Sequence, residues 1–135
     1  MFDLSVETQA GRAWDHNPLP PSPESVSVAL GKLEEGVIGT IRLGNGAEEL
    51  WASGGPQRFN VWAVTGPDHF FDLIGDRDAK GSRALVVGGQ TSEMPARHLV
   101  TRNQALQAFW GFLASGHLEV SDDKWERQGS HADPD

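Results

Sequence analysis

The stretch TRNQALQAFWGFLASG, residues 101 to 116, constrains the fold more than any other part of this chain. Thr101 followed three residues later by Gln104 has the form of a capping box, in which each side chain satisfies an orphaned backbone N–H. Leu106, Phe109, Trp110 and Leu113 then fall at i, i+3, i+4 and i+7, which predicts one apolar stripe on an amphipathic helix. Gly116 stands where a left-handed C-terminal cap is expected. Burying one large side chain contributes roughly 1.5–3 kcal/mol, so such a helix is held mainly by packing. On this reading Leu113→Ala costs about 2–5 kcal/mol through lost transfer energy and a cavity.

What the helix packs on is written upstream. Phe2, Leu4 and Val6 alternate with Asp3, Ser5 and Glu7, the period-two signature of a half-buried strand. From Gln9 to Ser22 the composition shifts, and Pro18, Pro20 and Pro21 oppose regular structure, so 9–22 reads as a Pro-rich arm or linker. Ser22 caps a first helix with Pro23 at its opening position. Val26, Ala29, Leu30 and Leu33 form the apolar stripe of that helix, and Gly36 is expected to end it. A strand over 37–43 leads into Asn45-Gly46, a strong hairpin signal because both residues tolerate positive φ. Further strands are expected at 49–53, 59–65, 69–74, 83–87 and 123–126. Short connections between them imply antiparallel neighbours. The expected fold is α+β, a twisted antiparallel sheet of six or seven strands with two helices on one face. One domain spans 1–127, and 128–135 reads as a frayed tail.

Composition narrows the function. The 135 residues carry 19 acidic and 11 basic side chains, a net charge of −8. That balance argues against direct binding to nucleic acid or an anionic membrane, whose phosphates demand a basic face. It suits steering towards a basic protein. Cysteine is absent, which excludes disulfides and thiol catalysis. The first residues lack the basic-then-apolar pattern of a secretory signal, and no apolar run approaches a membrane span. A cytoplasmic protein is expected.

The chain offers little chemistry. Five histidines are scattered without HxxxH or HExxH spacing, so neither a metal nor a cofactor site is expected. Asp76-Arg77-Asp78 lacks the remaining oxygen ligands of a calcium loop and reads as a solvated turn. Gly88-Gly89 is not followed by Lys-Ser/Thr, so it is no phosphate loop. His69 and Asp72, three apart on one strand, point to opposite faces and make no acid–base pair. No catalytic residue is assigned. Of the five tryptophans, Trp62 and Trp110 lie in strongly apolar contexts and read as core. Trp14, Trp51 and Trp125 fit either core or a binding hot spot.

Val86-Val87-Gly88-Gly89 leading to Pro95, the helix from Ala105 to Phe112 with Phe109 and Phe112, then Ser115-Gly116 and Trp125 together carry a resemblance. The order of elements from Val26 to Trp125 resembles the first-numbered immunity-protein family of bacterial polymorphic toxin systems, often encoded beside nucleic-acid deaminase toxins. The likeness covers about three-quarters of the chain, and the Pro-rich arm departs from it. It implies a protein that neutralises a cognate toxin by binding and occlusion, without chemistry of its own. Deaminases reach a flipped or single-stranded base, and nucleic acid is held in a basic groove that an acidic partner would cover. Candidate partner-binding residues are Asp72, Asp76, Asp78 and Glu93 near the Gly88 region, Glu48 and Glu49 at the other hairpin, and Trp51. Two rivals stand beside this reading. One is an enzyme or small-ligand carrier built on a curved sheet; the other is a regulatory module of a larger assembly.

Overall fold

A computed structural model describes residues 2–10, 13–34, 39–55, 57–67, 69–87, 90–121 and 123–128. Its main sheet has seven strands, all paired antiparallel. In chain order the strands and helices are β1 (Asp3–Ala10), β2 (Ala13–Leu19), α1 (Pro23–Glu34), β3 (Thr40–Gly44), β4 (Glu49–Gly54), β5 (Phe59–Gly66), β6 (His69–Leu73), β7 (Ser82–Val87), β8 (Gln90–Pro95), α2 (Arg102–Ser115) and β9 (Trp125–Arg127). The seven-stranded sheet runs β2-β1-β3-β4-β5-β6-β9, and β7 and β8 form a separate two-stranded ribbon. The α+β class expected from the sequence is what the chain adopts.

Alternation along the strands decides which face is covered. Leu4 and Val6, Ile41 and Leu43, Leu50 and Ala52, Val61 and Ala63, and Leu73 and Trp125 all point to one face. There they meet Val26, Ala29, Leu30 and Leu33 of α1 and Ala105, Phe109 and Phe112 of α2 in a single buried cluster. Both helices therefore lie on one face, antiparallel to each other. Arg102 near the start of α2 pairs with Glu34 at the end of α1, while Trp110 donates its indole N–H to the Pro23 carbonyl at the start of α1.

Local signals hold where the backbone itself writes them. Ser22 accepts from the Ser25 N–H at 3.1 Å ahead of Pro23. Thr101 and Gln104 form the reciprocal capping box. Gly116 closes α2 in the left-handed region, at φ 80°, with its N–H on the Phe112 carbonyl. In the Asn45–Glu48 connection, Asn45 Oδ1 accepts the N–H groups of Ala47 and Glu48, and Gly46 takes φ 94°. The expected helix end at Gly36, the strand start at Val37, the Gly88-Gly89 pair and residues 129–135 lie outside the described residues.

Four expectations change. Part of the arm is a strand: β2 pairs along its length with β1, with Pro18 opposite Ser5. Because β2 is an edge strand with one unpaired side, a proline lacking its N–H is tolerated there. Strand 83–87 is not in the main sheet; it pairs with β8, a segment not read as a strand. The buried stripe of α2 is Ala105, Phe109 and Phe112, roughly a quarter turn from the expected one. Leu106 and Leu113 are only half-buried, and Trp110 is exposed at 38%. Leu113→Ala therefore falls below the full-burial range first expected. Finally, Trp62 is not core; it lies half-buried on the helix-free face.

One close approach fixes how the chain passes from β8 to α2. Gly75, just after β6, donates to the Arg97 carbonyl at 2.8 Å, and its own carbonyl accepts from Gln104. A Cβ at this position would run into the backbone carbonyl of Leu99. Gly75→Ala is expected to cost roughly 2 kcal/mol, since backbone and not a flexible side chain must yield. An unchanged urea midpoint would contradict this close packing.

Candidate functional site

The helix-free face of the sheet carries a row of functional side chains set directly opposite one another. Arg42, Trp51, Trp62, Asp72 and Glu126 occupy consecutive strands β3, β4, β5, β6 and β9 in register. Glu49, Val64 and Phe70 form the neighbouring row on β4, β5 and β6. Strand alternation, which sends their neighbours into the core, holds all of these on the same side.

The centre of the row is aromatic. Trp51 and Trp62 stack with centroids 5.8 Å apart and planes 7° from parallel. The Arg42 guanidinium lies 5.9 Å from the Trp51 ring, within the range of a cation–π contact. Glu49 locks the arrangement by accepting from Arg42 and from the Trp51 indole N–H at 3.1 Å. Burial tends to raise the Glu49 pKa, but the hydrogen bonds from Arg42 and Trp51 and the Arg42 charge outweigh it, so this carboxyl sits below its ordinary range. Phe70 extends the aromatic surface and is 38% exposed.

The other end of the row is ionic. His98, in the 3-10 turn Ala96–His98, is 6% exposed and stands between two carboxylates. Its Nδ1 is 3.6 Å from Asp72 Oδ2, and its Nε2 hydrogen-bonds Glu126 Oε1. Asp72 also accepts from the Asn60 amide at 3.2 Å, and Arg97 forks onto both oxygens of Glu126 at 2.8 and 3.3 Å. The Arg97 hydrogen bond, opposed by burial and assisted by His98, lowers the Glu126 pKa to about 2. The same bond raises Arg97. With both imidazole nitrogens facing carboxylates, this cluster clamps the 3-10 turn onto β6 and β9. Among the described residues, no group of three or more His, Cys, Asp or Glu is placed to hold a metal.

The candidates named from sequence separate on this map. Asp72 is 8% exposed and committed to the clamp, so it is not a rim acid. Glu49 is tied to Arg42 and Trp51, and Glu48 accepts the Leu118 N–H, so both acids brace the structure. Asp76 and Asp78 are exposed in the turn before β7, where Asp76 Oδ1 accepts the Asp78 N–H. Glu93 is exposed on β8 and accepts from Ser82 at 2.9 Å. Trp125 is core, opposite Leu73. The side chain of Trp14 lies outside the described residues. Sequence reasoning missed Arg42, Phe70, His98 and Glu126. The hairpin at Asn45-Gly46 fixes the register that aligns Arg42 with Trp51, so that part of the row was within reach.

No known protein family matches the chain, and no curated protein matches it. No helix of the described residues is long and apolar enough to cross a membrane.

Proposed function

We propose that this protein is an immunity protein that neutralises a cognate bacterial toxin, such as a nucleic-acid deaminase, by binding it through the helix-free face of the sheet and occluding its active site. The observation that carries the reading is the Trp51–Trp62 stack with Arg42 above it and Phe70 beside it. Tryptophan and arginine are the side chains most enriched among residues that dominate binding energy. Here they are held in place by Glu49 before any partner arrives, which reduces the ordering cost of association. The chain's net charge of −8 and the exposed acids Asp76, Asp78 and Glu93 favour encounter with a basic surface. A toxin that grips nucleic acid presents such a surface at its substrate groove.

The test is co-expression with the toxin encoded beside this gene. Cells survive and a complex elutes on size exclusion. Death of cells that contain folded, soluble protein, with no complex formed, overturns the reading. Trp62→Ala and Phe70→Ala are expected to speed dissociation, by about 30-fold for the tryptophan. Circular dichroism and thermal melting check that each variant is folded. Asp76→Lys combined with Asp78→Lys is expected to slow association, most clearly at low salt, at the small stability cost of one exposed turn hydrogen bond. Equal association rates for this variant and the parent across salt concentrations would remove the turn from the interface.

A further inference from the structure

Gly44, at the end of β3, stands on the helix-free face directly opposite Glu49 and two residues on from Arg42. Its φ is not in the left-handed region, so the path of the backbone does not call for glycine there. A neighbour does. A Cβ built on Gly44 would lie 2.7 Å from Arg42 Nη2 and 3.1 Å from Arg42 Cζ, and the three nearest heavy atoms all belong to that guanidinium. Gly44 is buried, with the guanidinium lying over the space a side chain would fill. Arg42 is thereby held on three sides, by Gly44 beneath, Glu49 at one edge and the Trp51 ring alongside. Nε and Nη2 both donate to Glu49 Oε2, while Glu49 Oε1 takes the Trp51 indole N–H. Nη1 has no acceptor among the described residues, and the side chain is 27% exposed, enough for an approaching atom to reach it.

We infer, resting on the reading of the helix-free face as the toxin-binding surface, that Gly44 is a positioning residue of that site: by seating Arg42 it aims the Nη1 N–H groups at a carbonyl oxygen of the partner. A guanidinium fixed before association loses little side-chain freedom when it binds. Its hydrogen bond to an incoming acceptor is charge-assisted, the stronger class. A neutral carbonyl fits better than a carboxylate, because Glu49 already neutralises the guanidinium and Asp3, exposed and opposite Gly44 on β1, adds a further negative charge.

Gly44→Ala is the test, since the nearest atoms it displaces are the movable end of a side chain. Its urea midpoint should stay close to the parent's, because alanine restricts the unfolded chain and the ion pair it disturbs is partly exposed. In the free protein, carboxyl NMR should show Glu49 titrating higher than in the parent. Burial pushes this carboxyl up, and the Arg42 hydrogen bond is the first of the contacts that hold it down. In the complex with the toxin encoded beside this gene, Gly44→Ala should dissociate roughly 10- to 100-fold faster, the effect of losing one hydrogen bond from a charged donor. Arg42→Gln should dissociate as fast, and adding Gly44→Ala to it should change nothing further. An unchanged Glu49 titration or an unchanged dissociation rate overturns the inference. An equal loss from Gly44→Ala in the Arg42→Gln background also overturns it, since the added methyl then meets the partner directly. A ratio of rates that collapses in high salt assigns a partner carboxylate and overturns the carbonyl. If the parent forms no complex, the toxin reading falls and the carbonyl contact with it, whereas the Glu49 titration still decides whether Gly44 seats Arg42.

Discussion

Replacing Phe109 with alanine is expected to lower the unfolding free energy by about 3–5 kcal/mol. Phe109 is fully buried on α2, inside the one cluster that joins both helices to the sheet. The loss combines the transfer energy of the ring with a cavity that α1 and the strands cannot close without moving. Phe112, set edge-on to Phe2 with centroids 4.9 Å apart, should behave alike when truncated. Trp110→Ala provides the contrast on the same helix. It is larger than either phenylalanine, yet it is 38% exposed and leaves no enclosed cavity when truncated, so even with the loss of its indole hydrogen bond to Pro23 its cost falls below theirs, at about 1–2 kcal/mol. Urea denaturation of the three variants checks the ordering. A Trp110 cost equal to that of Phe109 would show that α2 buries its other side.

That contrast also explains where sequence reading succeeded. Features encoded by backbone hydrogen bonding over three or four residues were legible, as at Ser22-Pro23, Asn45-Gly46, Thr101-Gln104 and Gly116. Their partners are local, so no knowledge of tertiary packing is needed. The orientation of α2 is not legible in the sequence, because large apolar side chains surround the helix on two sides and the buried stripe is set by small Ala105 together with Phe109 and Phe112. Edge position is likewise a tertiary property. Pro18 argued for an arm until β1 supplied a partner on one side only.

The candidate site divides along the same line. Trp51 was legible as a binding candidate from its residue type alone. Its stacking partner Trp62 reads as core in the sequence, since Val61 and Ala63 on either side are apolar, and only the register of β5 against β4 places it on the helix-free face. Asp72 reads as a surface acid in the sequence because nothing near it there neutralises it. Its partners arrive from 26 residues away at His98 and from the neighbouring strand at Asn60. Of the acids named from sequence, Asp76, Asp78 and Glu93 stay exposed, with the Asp78 N–H bonded to Asp76 and the Ser82 hydroxyl bonded to Glu93.

The clamp around Glu126 predicts how the protein responds to acid. The Glu126 pKa falls from the ordinary 4.5 to about 2 in the folded chain, chiefly through the Arg97 hydrogen bond and then His98. A depressed carboxyl pKa means that the unfolded chain binds its proton first. The stabilisation is fully present above about pH 4.5 and disappears as pH falls to about 2. With the Glu126 side chain 29% exposed, screening trims the effect to about 2–3 kcal/mol. Glu126→Gln should lower stability at neutral pH and flatten the pH dependence across that window. The amide keeps a hydrogen-bond acceptor for Arg97 but carries no charge to lose. Denaturation at a series of pH values gives both curves. If the parent and Glu126→Gln lose stability equally between pH 4.5 and 2, the acid response belongs to other carboxylates. Equal stability of the two at neutral pH would mean that Arg97 and His98 gain nothing from the charge between them.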